Sequence, residues 1–128
     1  MISHLTLGTN NLQKAQQFFE IILKPLGAKP VAKTSELVFF AFSNSDTKLA
    51  LTKPFDGDLA TAGNGTMLAL KASSQNVVKS VYKLAIDLKA ASEGEPGPRN
   101  NGAYFAAYFR DLDGNKIAVF HRSDDANA

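Results

Sequence analysis

Ser3-His4-Leu5-Thr6-Leu7 near the start of the chain and Thr66-Met67-Leu68-Ala69-Leu70 in its middle read as one short strand written twice, 63 residues apart. In each, leucines alternate with residues of another kind. That is the period of two expected of a strand with one face in a core. A second pair recurs in the same order: Lys48-Leu49-Ala50-Leu51 and Lys116-Ile117-Ala118-Val119, 68 residues apart. The drift between the two offsets is a difference in loop length. Short apolar strands can align by chance. Two strand pairs recurring in the same order around a helix argue instead for an internal repeat.

The rest of the chain fits around those four strands. Asn10 or Asn11 offers an N-cap, and Leu12, Ala15, Phe18, Phe19, Ile22 and Leu23 follow at helical spacing, so residues 12–24 are expected to be a helix stopped by Pro25 and Gly27. A weakly marked extended piece covers 28–33. Residues 36–43 read as a buried strand, Asn44-Ser45-Asp46 as a turn and 48–53 as a strand. After the strand at 66–72, Ser73 or Ser74 caps a second helix through about Ala91, its apolar face carrying Val77, Val81, Leu84, Ala85 and Leu88. Residues 92–102, Ser-Glu-Gly-Glu-Pro-Gly-Pro-Arg-Asn-Asn-Gly, are expected to be a loop because of their glycines and prolines. Strands at 103–110 and 116–121 flank a hairpin signalled by Asp113-Gly114.

The expected fold is α+β. Two βαβββ modules form a curved mixed sheet, with helices on its convex face and a cup-shaped pocket on the other. The 1–128 chain is read as a single domain: module one about 1–55, a connection about 56–64, module two about 65–122, and a frayed tail at 123–128. Alternation puts Leu5, Leu7, Leu49, Leu51, Leu68, Leu70, Ile117 and Val119 under the helices. It turns His4, Thr6, Ala50, Thr52, Met67, Ala69, Ala118 and Phe120 to the cup.

Composition limits the function. The chain has 128 residues, 45% of them apolar and 20% charged, as in an ordinary globular domain. It has no cysteine, which excludes a disulfide scaffold, a thiolate metal site and a cysteine nucleophile. The formal charge of +2 is small and dispersed, so no nucleic-acid partner is expected. No apolar run approaches the ~20 residues of a membrane span, and Met1-Ile2-Ser3-His4 does not open a signal peptide. A cytoplasmic protein is the expectation.

The chain resembles the vicinal oxygen chelate superfamily, which includes glyoxalases, bleomycin-resistance proteins and extradiol dioxygenases. The resemblance rests on Ile2-Ser3-His4-Leu5-Thr6-Leu7, on Asn11-Leu12-Gln13-Lys14-Ala15 with Phe18-Phe19 behind it, and on Arg110-Asp111-Leu112-Asp113-Gly114-Asn115-Lys116-Ile117. The last is similar to the family's DPDGN hairpin, with Leu112 where proline is common. Gly63-Asn64-Gly65-Thr66-Met67 and Pro96-Gly97-Pro98-Arg99 look like a subgroup of small bacterial members.

Enzymes of that superfamily hold one divalent metal through four strand positions. By resemblance these fall on His4, Ala50, Met67 and Ala118, the positions that the repeat also pairs. Only His4 is a ligand type. One imidazole makes a weak site, and a thioether does not suit a hard or borderline ion. The expectation is therefore no metal and no other cofactor. His121 lies at the wrong parity to replace a ligand. His4 is the single catalytic candidate, but a lone imidazole without an acidic partner is more often a lining residue.

The expected lining of the cup is His4, Thr6, Phe40, Ala50, Met67, Tyr104, Tyr108 and Ala118. Tyr104, Tyr108 and Arg110 share one parity, and polar-tipped aromatics suit a small-molecule pocket. For Phe40 and Phe42 core packing is an equal alternative. Arg99 could clamp an anion or stand solvated in its loop. Lys48 and Lys116 are read as strand-edge charges. The reading favoured is a protein that binds a small molecule in an apolar cup. The alternative is a lactoylglutathione-lyase-like or other lyase, isomerase or dioxygenase-type enzyme. The resemblance also implies a homodimer.

Overall fold

Asn11 caps the first helix: its backbone is extended and its side chain accepts from the Lys14 N–H at 3.0 Å. In the computed structural model, which describes residues 1–123, this helix, α1, spans Leu12–Ile22 and buries Leu12, Ala15, Phe18, Phe19 and Ile22. It ends earlier than the spacing predicts. A short 3-10 turn over Lys24–Leu26, with Pro25 in its first turn, takes over. Gly27 then reverses the chain at φ 74°, and a Cβ there would strike the Ser43 side chain.

Module one runs β1 (His4–Gly8), α1, β2 (Ala28–Lys33), β3 (Leu37–Phe42) and β4 (Ser45–Thr52). Its sheet order is β1-β4-β3-β2, with β1 parallel to β4 and the other pairs antiparallel. Module two repeats the plan with β5 (Met67–Lys71), α2 (Gln75–Asp87), β6 (Ala91–Arg99), β7 (Tyr104–Arg110) and β8 (Lys116–His121), in the order β5-β8-β7-β6. The repeat seen in four strand sequences is thus a repeat of topology, two βαβββ modules each with a four-stranded mixed sheet. The chain divides into a unit Met1–Ala62 and a unit from Gly63 onward. No helix is long and apolar enough to cross a membrane among the described residues. Most of the expected tail, 124–128, lies outside the described residues.

Within module one, Leu49 and Leu51 of β4 and Val38 and Phe40 of β3 are buried on the side that α1 covers. Residues 54–62 stay with this module. Asn10 holds Ala60 at both ends, its Nδ2 donating to the Ala60 carbonyl at 3.2 Å and its Oδ1 accepting from the Ala60 N–H at 2.8 Å.

Within module two, Ser74 caps α2, its hydroxyl accepting from the Val77 N–H at 3.1 Å. The helix is shorter than expected, and Val78 rather than Val77 is buried. With Val81 and Ala85 it covers Ala107, Phe109, Ile117 and Val119, all fully buried. Each such large side chain contributes about 1.5–3 kcal/mol on burial.

Three expectations change. Residues 92–102 are not all loop: β6 runs Ala91–Arg99 along β7, with register shifts between Ser92 and Gly94 and between Gly94 and Gly97. An outer strand tolerates Pro96 and Pro98 because one of its sides makes no ladder bonds. The first module matches it, since β2 is also outermost, carries Pro30 and shifts register there. Next, β4 begins at Ser45, so the tight turn lies at Ser43-Asn44. Finally, β4 and β8 are inner strands, so Lys48 and Lys116 are not edge charges.

Candidate ligand-binding face

The register of each sheet decides which side chains share a face. In module one, His4 lies opposite Lys48, Thr6 opposite Ala50 and Phe39 opposite Ala50. These residues point away from the α1 side. The His4 ring meets the Phe39 ring edge-on, 5.2 Å between centroids and 79° between planes. The Ser3 Oγ lies 3.0 Å from His4 Nδ1. Among the described residues no carboxylate hydrogen-bonds or ion-pairs with His4. His4 and Thr6 are exposed, whereas Ala50 is buried.

Phe40 departs from the expected lining. It is opposite Leu49, on the side of α1, and is fully buried. Phe39 takes the face of His4 instead. The run Leu37-Val38-Phe39-Phe40-Ala41-Phe42 has no polar residue, so alternation could not set its parity.

In module two, Met67 lies opposite Lys116, Ala69 opposite Ala118, and Tyr108 opposite both Ala118 and Gly94. Tyr104, Tyr108, Arg110, Lys116, Ala118 and Phe120 therefore share the face that α2 leaves uncovered. The opposite parity is the covered one: the Lys79 ammonium of α2 sits 5.7 Å from the Phe105 ring centroid. Met67 is 44% exposed and Ala118 is buried.

Cations gather around the tyrosines. The Arg99 guanidinium stands 5.5 Å from the Tyr108 ring centroid, and the Lys116 Nζ 5.6 Å from the same centroid. Arg110 is held by Glu93, Nε to Oε1 at 3.0 Å, and donates to the Gly114 carbonyl at 3.1 Å. Tyr104 packs edge-on against Phe120 at 6.3 Å. The neighbouring Tyr104 hydroxyl, more than burial, raises the Tyr108 pKa above the ordinary phenol value, while the Arg99 charge pulls it down.

Arg99 reaches this place because β6 is irregular. Its guanidinium folds back along the strand, donating to the Glu95 carbonyl at 2.7 Å and the Pro98 carbonyl at 3.3 Å. A Cβ at Gly94 would lie 3.2 Å from one guanidinium nitrogen and 3.2 Å from the Tyr108 ring, and a Cβ at Gly97 would lie 3.2 Å from the other. Sequence left Arg99 open between clamp and solvated residue and missed Lys116. The readable signal for Lys116 was the Asp113-Gly114 hairpin, which pairs Lys116 with Arg110 on the Tyr108 face.

The superfamily's metal does not fit these residues. Of the four strand positions, His4 offers a nitrogen, Met67 a thioether, and Ala50 and Ala118 only methyl groups. No group of three or more His, Asp or Glu residues able to hold a metal ion occurs among the described residues. His121 is buried and engaged elsewhere, its Nδ1 2.9 Å from the Ala72 carbonyl oxygen. No reaction step through a metal follows from this donor set.

Comparison with known proteins agrees with the fold. A glyoxalase/bleomycin resistance protein from Albidiferax ferrireducens T118 is similar at 32% identity and a TM-score of 0.85, over 95% of this chain and 98% of that one. A lactoylglutathione lyase from Agrobacterium tumefaciens shares the fold at 23% identity and a TM-score of 0.69, over 94% of this chain and 92% of that one. An antibiotic-binding protein from Streptomyces sp. CB03234 does so at 20% identity and a TM-score of 0.68, over 96% of both chains. No protein of curated function matches the chain. The family pattern of the glyoxalases matches residues 1–119, and the chain belongs to the Glyoxalase/Bleomycin resistance protein/Dioxygenase superfamily.

Proposed function

We propose that this protein binds a small molecule on a sheet face that its module's helix leaves uncovered and does not carry out the superfamily's metal-dependent chemistry. The observation that carries the reading is the donor set at the four strand positions, one imidazole among two methyl groups and a thioether. Open aromatic surface with a few placed polar groups supports it, because such surfaces hold small ligands by apolar contact and orient them by hydrogen bonds. His4 supplies one of those polar groups. Without a carboxylate to set its tautomer, it is poorly equipped as a general base. We place the protein in the cytoplasm, an expectation that rests on its sequence composition, and as a homodimer, one that rests on the superfamily resemblance alone.

A lyase of the lactoylglutathione type is the second reading. The similar fold of the Agrobacterium tumefaciens enzyme favours it. One pair of experiments separates the two. Metal content is measured on untagged protein purified without chelator, and the protein is then titrated with nickel, zinc and manganese. Weak, substoichiometric binding that His4→Ala leaves unchanged is the expected result. One tight metal per chain would reverse the proposal and favour the lyase. In parallel, a set of small aromatic fragments, neutral and charged, is screened by amide chemical-shift perturbation. Failure of every fragment to bind would leave no small-molecule role.

A further inference from the structure

Arg110 and Arg99 lie on neighbouring strands of the same sheet and are treated differently. Arg110 has a carboxylate, Glu93, at 3.0 Å. Arg99 has none, and neither has Lys116, among the described residues. Yet both cations converge on one ring, 5.5 and 5.6 Å from the Tyr108 centroid. Two positive charges on one small patch repel each other, and the ring's quadrupole offsets only part of that cost. An anion that reaches both cations at the margin of the ring would offset the rest.

The patch has the build of a receptor for such a group. Arg99 is fixed by the Glu95 and Pro98 carbonyls, which use two of its five N–H donors and leave three to point elsewhere. Its path runs over Gly94 and Gly97, where any Cβ would crowd it. Such a held guanidinium loses little freedom when it binds an oxyanion. Lys116 adds a compact point charge. Tyr104, Tyr108 and Phe120 supply aromatic surface beside the charges for the body of a ligand.

We propose that the uncovered face of module two takes a small organic anion, its carboxylate or phosphoryl oxygens held by Arg99 and Lys116 and its apolar part laid against the Tyr108 and Tyr104 rings. This rests on the small-molecule reading above and narrows it to a charge class. The neutralised charge sits at the exposed side of the sheet, so binding weakens as salt rises.

The test uses the full chain and three probes: phenyl phosphate, benzoate and neutral benzyl alcohol. Affinities come from calorimetry and from amide and tyrosine-ring shifts. The two anions are expected to bind at least about tenfold more tightly than the alcohol, with shifts at Gly94, Arg99 and Tyr108. Arg99→Ala and Lys116→Ala each lose about tenfold for the anions and leave the alcohol unchanged. Gly94→Ala keeps both charges but displaces the guanidinium, so it also weakens the anions. Lys83→Ala, on the outer surface of α2, changes nothing. A preference for phenyl phosphate over benzoate assigns a phosphoryl ligand, and the reverse assigns a carboxylate. Equal binding of anions and alcohol, or full anion affinity in Arg99→Ala and Lys116→Ala variants with native spectra, overturns the proposal and leaves the small-molecule reading standing. If no probe of either charge binds, both fall.

Discussion

Asp111→Ala is expected to unfasten the β7–β8 hairpin. Asp111 is 7% exposed. Its Oδ1 accepts from the Asp113 N–H at 2.9 Å and the Asn115 N–H at 2.8 Å, and its Oδ2 accepts from the Asn115 side-chain amide at 2.9 Å. Its own N–H donates to the Asn115 carbonyl at 2.9 Å. Removing the carboxylate deprives three donors of this acceptor. Each such loss costs about 1–3 kcal/mol when water cannot replace it. Since Asp113 and Asn115 are only half-buried, we expect a total of about 2–4 kcal/mol. Asp111→Asn keeps one oxygen for the two backbone donors, and Asn115 can turn its amide to accept from the new NH2. It should cost about 1 kcal/mol or less.

The pH dependence distinguishes charge from hydrogen bonding. Burial raises the Asp111 pKa above the ordinary aspartate value, against the hydrogen bonds from Asn115 and Asp113. The native protein therefore holds this proton at a pH where the unfolded chain has released it. The resulting stability is full below the unfolded pKa and is lost as pH rises through the native one. Asp111→Asn has no such proton. Its stability relative to wild type should improve as pH climbs through that window. Urea unfolding followed by circular dichroism at a series of pH values measures both effects. If Asn proved as damaging as Ala, or Ala harmless, the acceptor role assigned to Asp111 would be wrong.

Other outcomes follow from the same geometry. Phe40→Ala should cost about 3–5 kcal/mol, whereas Phe39→Ala, half-buried beside His4, should cost much less; equal losses would mean that the β3 parity is misassigned. In Tyr104→Phe, the Tyr108 pKa should fall towards the ordinary phenol value, as read from ring-carbon NMR of labelled tyrosine; an unmoved titration would remove Tyr104 as the main cause. Gly27→Ala should lower the melting temperature, because it adds about 1 kcal/mol or more of left-handed backbone strain to a collision with Ser43.

Much of this architecture was legible because it is written in periods. Leu5 and Leu7, or Ile117 and Val119, declare a strand and its buried side together. Asn11 and Ser74 declare the helix starts through cap chemistry. What escaped was written differently. β6 spells Ser-Glu-Gly-Glu-Pro-Gly-Pro-Arg after its first alanine, and it is held in place by β7 rather than by its own propensity. β3 is apolar throughout, so its two sides look alike until β4 fixes the register at Phe40 and Leu49. The candidate site was half legible for the same reason. Tyr104, Tyr108 and Ala118 follow from alternation. The approach of Arg99 to Tyr108 depends on a bulge, and no period encodes a bulge.

That irregular outer strand also bears on how the protein survives at high concentration. An outermost strand invites a neighbour's strand to join it, the first step towards aggregation. Pro96 and Pro98 have no N–H to offer such a recruit, and the two register shifts break the ladder it would need. Engineering β6 towards a regular strand, with threonine or valine in place of its glycines and prolines, would raise local β propensity. It would also bar Arg99 from Tyr108 and open a sticky border. Solubility and the proposed anion binding would then be lost together.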